Sequence, residues 1–352
     1  MRRTPCDIAR RRLLAGMLFL GSGVPLAARA HGVTLHVHHA LPENSALHAR
    51  FLLPWTQKLE EASGARLRIH LNAASPAAAT AETLLAQVQE GTVDLAWIPL
   101  SPATGRMAPL AVFEFPFTVR RAEGASRAMA EFVRVNDLED RAFDGVRLLG
   151  IHATDPAWLH WAGTDSPAAL AGRRIGVRSD AEGDVLRSAG AVVVAMDEAR
   201  MADALQKGEV EGVLLPWERA VLRGLDRLAR VHASPGDAQP GVVSALGALV
   251  MNPDMYRGLP DDLRAVFSAN AGADTSAWLG RVHDEAAAAA RQAASARGEV
   301  LHVLTDEERE RWRLAARSAT QTRTAALEQA GVRAKLLAES ARDYLDQFDA
   351  AR

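Results

Sequence analysis

Apolar positions recur along this chain with two periods, and the alternation between them organises it. Residues Thr34 to His38 and Ala65 to Leu71 alternate apolar and polar side chains, the pattern of half-buried strands. Between them Phe51, Leu52, Trp55 and Leu59 fall at helical spacing, and Gly64 stops the run. Ala81 to Gly91 reads as a helix ended by glycine, and Thr92 to Ile98 as a short apolar strand with Trp97 near its end. Ala122 to Val135 is helical, and Val146 to His152 is a strand.

After a mixed segment at 153–167, rich in Pro, Trp, His and Gly, the series begins again. Leu170 to Arg178 enters a strand, Gly183 to Ala189 a helix closed by Gly190, and Ala191 to Ala195 a strand. Asp197 to Gly208 is a helix with a glycine stop, followed by the strand-like run from Glu209 and then Pro216-Trp217-Glu218. Ser244 to Asn252 adds a strand, and Pro253 to Leu259 turns into an acidic helix start. From about Asp274 the pattern is mostly helical, with an alanine-rich run at 286–299. One strand-like piece interrupts it at Val300 to Leu304, and Thr305-Asp-Glu-Glu308 forms a capping box. Strands alternating with helices over the first 270 residues predict an α/β fold with mainly parallel sheets. Two αβ units, each with a tryptophan at its strand end, predict two lobes facing a shared cleft, because ligands bind at the carboxyl ends of such strands.

The first 30 residues stand apart from this pattern. Arg2, Arg3 and Arg10 to Arg12 precede an apolar stretch, Leu13 to Leu26, and Ala28-Arg-Ala30 supplies a small-residue cleavage signal. This is a secretory signal peptide cleaved near Ala30, too short and too interrupted by Gly and Pro for a ~20-residue membrane span. The Arg10-Arg11-Arg12-Leu13-Leu14 run permits Sec or twin-arginine export. The only cysteine, Cys6, leaves with the leader, so the mature chain has neither disulfide nor thiol chemistry. The leader carries six of the 41 basic and one of the 43 acidic residues; its removal leaves 35 and 42, a formal net of −7. That balance excludes nucleic acid as an expected partner. About 320 mature residues suffice for two domains.

Chemistry is sparse. No nucleophile elbow, phosphate loop or dinucleotide fingerprint occurs, and no pair of residues stands out as nucleophile and base. The eleven histidines form no ligand set at metal spacing, so neither metal nor cofactor is expected. The chain reads as a binding protein and not an enzyme.

Several stretches together resemble one family, the solute-binding proteins of tripartite ATP-independent periplasmic (TRAP) transporters of the dicarboxylate-binding type. They are His39-x-Leu-Pro, Trp55-x-x-Lys-Leu-Glu-Glu-Ala-Ser-Gly64, Gln87-x-x-x-Gly-Thr-Val-Asp-Leu95 and Val112-Phe-Glu-Phe-Pro-Phe117. Leu170-Ala-Gly-Arg-Arg-Ile175, Ala204-Leu-Gln-x-Gly-x-Val-x-Gly212, Pro216-Trp-Glu218, Met251-Asn252 and Leu259-Pro260 continue the set over nearly the whole mature chain. The resemblance implies a two-lobed periplasmic binding fold with a lobe-spanning helix and a helical C-terminus. It also implies closure on a small organic acid and delivery to TRAP-type membrane permease subunits driven by an ion gradient. Residues 31–152 plus about 243–280 are expected in lobe I, and 153–242 plus about 281–352, with the C-terminal helices, in lobe II. A ligand-sensing module for a signalling partner would share this fold.

One departure stands out. The family's carboxylate-clamping arginine falls on Gly176 here. Arg178, two residues on and on the same strand face, is the candidate replacement, with a surface arginine as the alternative. Trp217, Trp97, Trp158 and His160 are candidates to line the cleft or to pack in the core. Glu218 is a candidate for a ligand hydroxyl, an amine or a cation, or else for a hinge salt bridge. His39 and Asn252 match recurrent family positions; each also suits a loop or turn role.

Overall fold

The computed structural model describes residues 32–73, 80–100, 105–164 and 169–349. The expected leader and its cleavage point lie outside them, as do residues 74–79 and 101–104. The chain runs through β1 (Val33–His39), a π-helical turn (His48–Leu52) continuous with α1 (Leu53–Ala62), β2 (Leu67–Ala73), α2 (Ala81–Gln89) and β3 (Leu95–Leu100). A 3-10 stretch (Gly105–Glu114) leads to α3 (Ala122–Val135), the short α4 (Glu139–Ala142) and β4 (Arg147–Ala153). Next come β5 (Trp158–Trp161), β6 (Arg174–Val177), α5 (Asp180–Ser188), β7 (Val192–Ala195), α6 (Glu198–Gln206), β8 (Gly212–Leu215), α7 (Trp217–Leu222) and β9 (Val231–Ser234). β10 (Leu246–Met251), α8 (Pro253–Gly258), α9 (Asp261–Ala269), α10 (Ala273–Ala296), β11 (Val300–Val303), α11 (Asp306–Gln329) and α12 (Ala334–Asp349) complete it.

Polar caps begin several helices. Thr80, Ser179, Asn252 and Thr305 accept backbone N–H groups as helix caps, and Thr305 with Glu308 makes the full capping box. Gly208 ends the α6 segment at φ 70°, a left-handed conformation that costs a side-chain-bearing residue energy.

The strands form two sheets, ordered β2-β1-β3-β10-β4 and β11-β9-β5-β8-β6-β7. Most neighbours run parallel, but β10 is antiparallel to β3 and β4, and β5 to β8 and β9. Those two strands mark where the chain changes sheets: it leaves the first between β4 and β5 and returns between β9 and β10. The two crossovers are laced together, Thr154 N–H donating to Ala245 O and Ala157 N–H to Val243 O, each at 2.8 Å.

Helix α10 is the third connection. It packs on α3 and β4 of the first lobe and on α7 and β11 of the second. Its Asp284 accepts the first backbone N–H groups of α3, from Ala122 at 2.9 Å and Glu123 at 3.0 Å, so a carboxylate meets a helix N-terminus. The C-terminal helices divide differently from the expected lobes. α11 packs on α5 of the second lobe, but α12 lies on α3, with Leu337, Ala341 and Leu345 in the first lobe's core. The apolar stripe of α12 specified that a face is covered, and α3 offered the complementary one.

The α10–α3 approach depends on Gly280, where a Cβ would stand 2.2 Å from the Ala122 carbonyl oxygen. Gly280→Val is expected to destabilise the protein by about 3 kcal/mol, because the helices must part to admit it. Calorimetry checks this; an unchanged melting temperature contradicts it.

Candidate functional site in the inter-lobe region

The carboxyl ends of β6, β7 and β8 carry a charged cluster. Arg178 follows β6, Glu198 opens α6 after β7, and Arg219 and Arg223 project from α7 after β8. Glu182 accepts from Arg178 twice, from the guanidinium at 2.6 Å and from the backbone N–H at 2.7 Å. Glu198 gathers three guanidinium groups, with Arg219 at 2.7 Å, Arg223 at 2.8 Å and Arg178 at 3.8 Å. Three cations on two carboxylates leave one positive charge in excess. Burial pulls the Arg178 pKa down, but Glu182 and Glu198 outweigh it and hold the group above its ordinary value. Its Nε is buried without a hydrogen-bond acceptor among the described residues.

Glu114, from the 3-10 stretch of the first lobe, lies within electrostatic reach of Arg178 and Glu182. Burial raises its carboxyl to about 7 although Arg323 stands at 3.4 Å. The cluster therefore belongs to the inter-lobe region and not to an outer surface. At Gly176 a Cβ would meet Val213 at 3.1 Å and the Met196 sulfur at 3.5 Å. Apolar side chains crowd the space that an arginine would need there.

A second, aromatic layer lies between β5, β8, β9 and α10. Trp217 has no exposed surface. Its ring meets Trp158 at 5.6 Å, His160 at 4.9 Å and His232 at 4.5 Å, with Ala287 and Ala294 of α10 in the same cluster. Its backbone N–H donates to Asp155 Oδ2 at 3.0 Å. His160 pairs with His232 at 2.8 Å and with Leu215 O at 3.1 Å, and burial pushes its pKa down to about 3.

A third group links the lobes through α10. Trp97 donates its indole N–H to His152 Nε2 at 3.0 Å, so that nitrogen carries no hydrogen. Burial pushes His152 down to about 3, in agreement with a neutral ring. His152 stacks on His283 of α10 at 5.0 Å. His283 Nδ1 stands 3.1 Å from Glu218 Oε2, while Glu218 Oε1 accepts the Ala46 N–H of the first lobe at 2.7 Å. Burial opposes both charges, yet the pairing leaves His283 above and Glu218 below their ordinary pKa values.

Thus Trp217, Trp158 and His160 share one layer, and Trp97 and Glu218 meet through His152 and His283. Arg178 sits in the separate charged cluster. His39 lies apart, its Nδ1 3.1 Å from Leu41 O and its ring against His48; burial brings its pKa down to about 4. Asn252 caps α8 and donates to Val88 O at 2.7 Å, so both amide atoms tie helices together. Sequence reading missed Glu182, Glu198, Arg219, Glu114, Asp155, His152 and His283. Only Arg219 and Arg223, one helical turn apart beside Trp217, carried a local signal. Among the described residues, no group of three or more His, Cys, Asp or Glu could hold a metal ion, and no helix is long and apolar enough to cross a membrane.

The sequence profile of bacterial extracellular solute-binding protein family 7 matches residues 37–326. The chain belongs to this family. Among solved structures it is similar to a TRAP solute-binding protein of Rhodoferax ferrireducens with copurified benzoate, at 28% identity, 90% and 98% coverage of the two chains and a TM-score of 0.81. It is similar at 25% identity to a marine metagenome TRAP protein specific for aromatic acid ligands, with 91% and 99% coverage and a TM-score of 0.82. A Bordetella bronchiseptica TRAP protein with bound mandelate matches at 25% identity, 90% and 100% coverage and a TM-score of 0.76. The outer membrane transporter protein TsaT of Comamonas testosteroni is 24% identical over 305 residues, 84% of this chain and 86% of that protein. The chain is a two-lobed solute-binding protein and not an enzyme.

Two outcomes follow from this geometry. Trp217→Ala is expected to cost about 3–5 kcal/mol of stability, since the ring is core; an unchanged thermal transition without ligand contradicts that. In Glu218→Gln, His283 loses the carboxylate that raises its pKa. A raised His pKa contributes stability below ~6.5 that fades as pH rises through the folded value. The melting-temperature deficit of this variant should be largest near pH 5 and shrink towards pH 8; a deficit independent of pH contradicts the pairing.

Proposed function

We propose that this protein is exported, loses its leader near Ala30, and captures a small aromatic monocarboxylate between its lobes for a TRAP-type permease. The observation that carries the carboxylate is Arg178, a cation with an unsatisfied buried Nε at the carboxyl end of β6 in a cluster with surplus positive charge. A carboxylate approaching it gains a charge-assisted hydrogen bond and lowers that excess. The aromatic class is supported by the benzoate, 3-hydroxybenzoate and mandelate held by three similar proteins. Lobe closure would enclose the acid, the two crossovers and α10 being among the connections about which the sheets can turn.

Thermal shift and calorimetric titration of the mature protein test this with benzoate, 3-hydroxybenzoate and mandelate against amino acids and neutral sugars. A shift confined to the aromatic acids is expected. Arg178→Ala should weaken their binding at least tenfold, about 1.4 kcal/mol. Equal affinity in the variant removes Arg178 from the site, and a response only to neutral compounds overturns the carboxylate reading.

A further inference from the structure

A second cavity, of about 380 Å³, lies where both crossovers meet α10, and it shares no residue with the Arg178 cluster. Asp155 and Trp158 line it from one crossover, Gln239 from the other, Arg291 from α10, and Arg121 from the turn before α3. Asp155 is 3% exposed, and its Oδ1 is buried without a partner among the described residues. Only its Oδ2 is used, by the Trp217 N–H. An orphaned buried carboxyl oxygen costs free energy unless a partner satisfies it.

The cations beside it are loosely held. Arg121 reaches Asp284 at 3.7 Å, and Arg291 reaches Asp237 at 3.5 Å while lying over the Trp158 ring. Their guanidinium groups keep donors to spare. Burial raises the Asp155 carboxyl to about 7, against the opposing effect of His283; Glu218 and Asp284 also face it and add to the rise. Protonated, it becomes a hydrogen-bond donor. Arg120 lines the cavity as a third guanidinium, against the carboxylates of Asp237 and Asp284; with Asp155 protonated, the donors outnumber the charged acceptors and suit an oxyanion.

We infer that this hinge cavity is a second binding site, for a small oxyanion held by Asp155, Arg121 and Arg291. Its walls belong to both crossovers and to α10, so an occupant couples to their rotation, and closure and anion affinity bias each other reciprocally.

Calorimetric titration of the mature protein with inorganic phosphate and, separately, acetate tests this in a buffer free of other oxyanions. The expected result is one-to-one binding of at least one anion, retained in Arg178→Ala. Affinity should fall at least tenfold in Arg291→Ala and in Ala288→Phe, the latter filling the cavity mouth from an exposed position without altering charge. Phosphate alone identifies a phosphate group as the chemistry the site takes, and acetate alone a carboxylate. Loss of binding in Arg178→Ala with retention in Arg291→Ala assigns the anion to the principal site and overturns the inference. So does the absence of binding by either anion, or binding that both cavity variants leave unchanged, which marks an adventitious ion only.

Discussion

One 24-residue helix has to serve two sheets, and the rest of the molecule is arranged around that constraint. α10 meets α3 where Gly280 lets the backbones approach, and its Asp284 closes the N-terminus of α3. Two turns further along, its alanines lie against Trp158 and Trp217 of the other lobe. Small side chains are required at the buried contact positions Gly280, Ala287 and Ala294, where bulky ones would hold the neighbouring lobe away. The alanine-rich composition that reads as high helix propensity is thus also a packing requirement.

Charge burial in the inter-lobe region follows a consistent rule. Glu218 is almost enclosed, yet it receives a backbone N–H from one lobe and faces an imidazole on the shared helix. Glu198 is enclosed by three guanidinium groups. Such pairs add little net stability over apolar packing but penalise any arrangement that separates the partners. They therefore favour one relation of the lobes over its alternatives, which suits a protein whose task is to close on a solute. Arg178 Nε and Asp155 Oδ1 are among the buried polar atoms left without a partner, and they fall in two different places at the lobe connections. The proposed carboxylate site and the inferred hinge site both draw on that imbalance.

Much of the fold was legible in the chain itself. Alternation and 3.6-residue spacing located the strands and helices, glycine stops and polar caps bounded them, and two αβ series with a tryptophan after each foretold two lobes. The family resemblance was legible because its short stretches keep order and spacing. The fate of Trp217 was not. A tryptophan at a strand end looks the same whether it faces a cleft or a helix, and the covering helix, α10, lies some sixty residues away in the chain. The same holds for α12, whose apolar stripe announced a buried face but not that α3 would cover it.

By itself, the sequence determined most of the secondary structure, though not β5 or β9, as well as the α/β class and the missing arginine at Gly176. These rest on local periodicity, conformational preference and residue identity, which need no knowledge of distant partners. Tertiary structure alone decided that Arg178 would meet Glu198, that the Trp97 indole N–H would donate to His152, and that Glu218 would join both lobes at His283. Ionisation and hydrogen bonding depend on which groups come within a few ångströms and how much water is excluded. Apart from the Arg178–Glu182 pair, the packing of elements far apart in the chain sets those quantities.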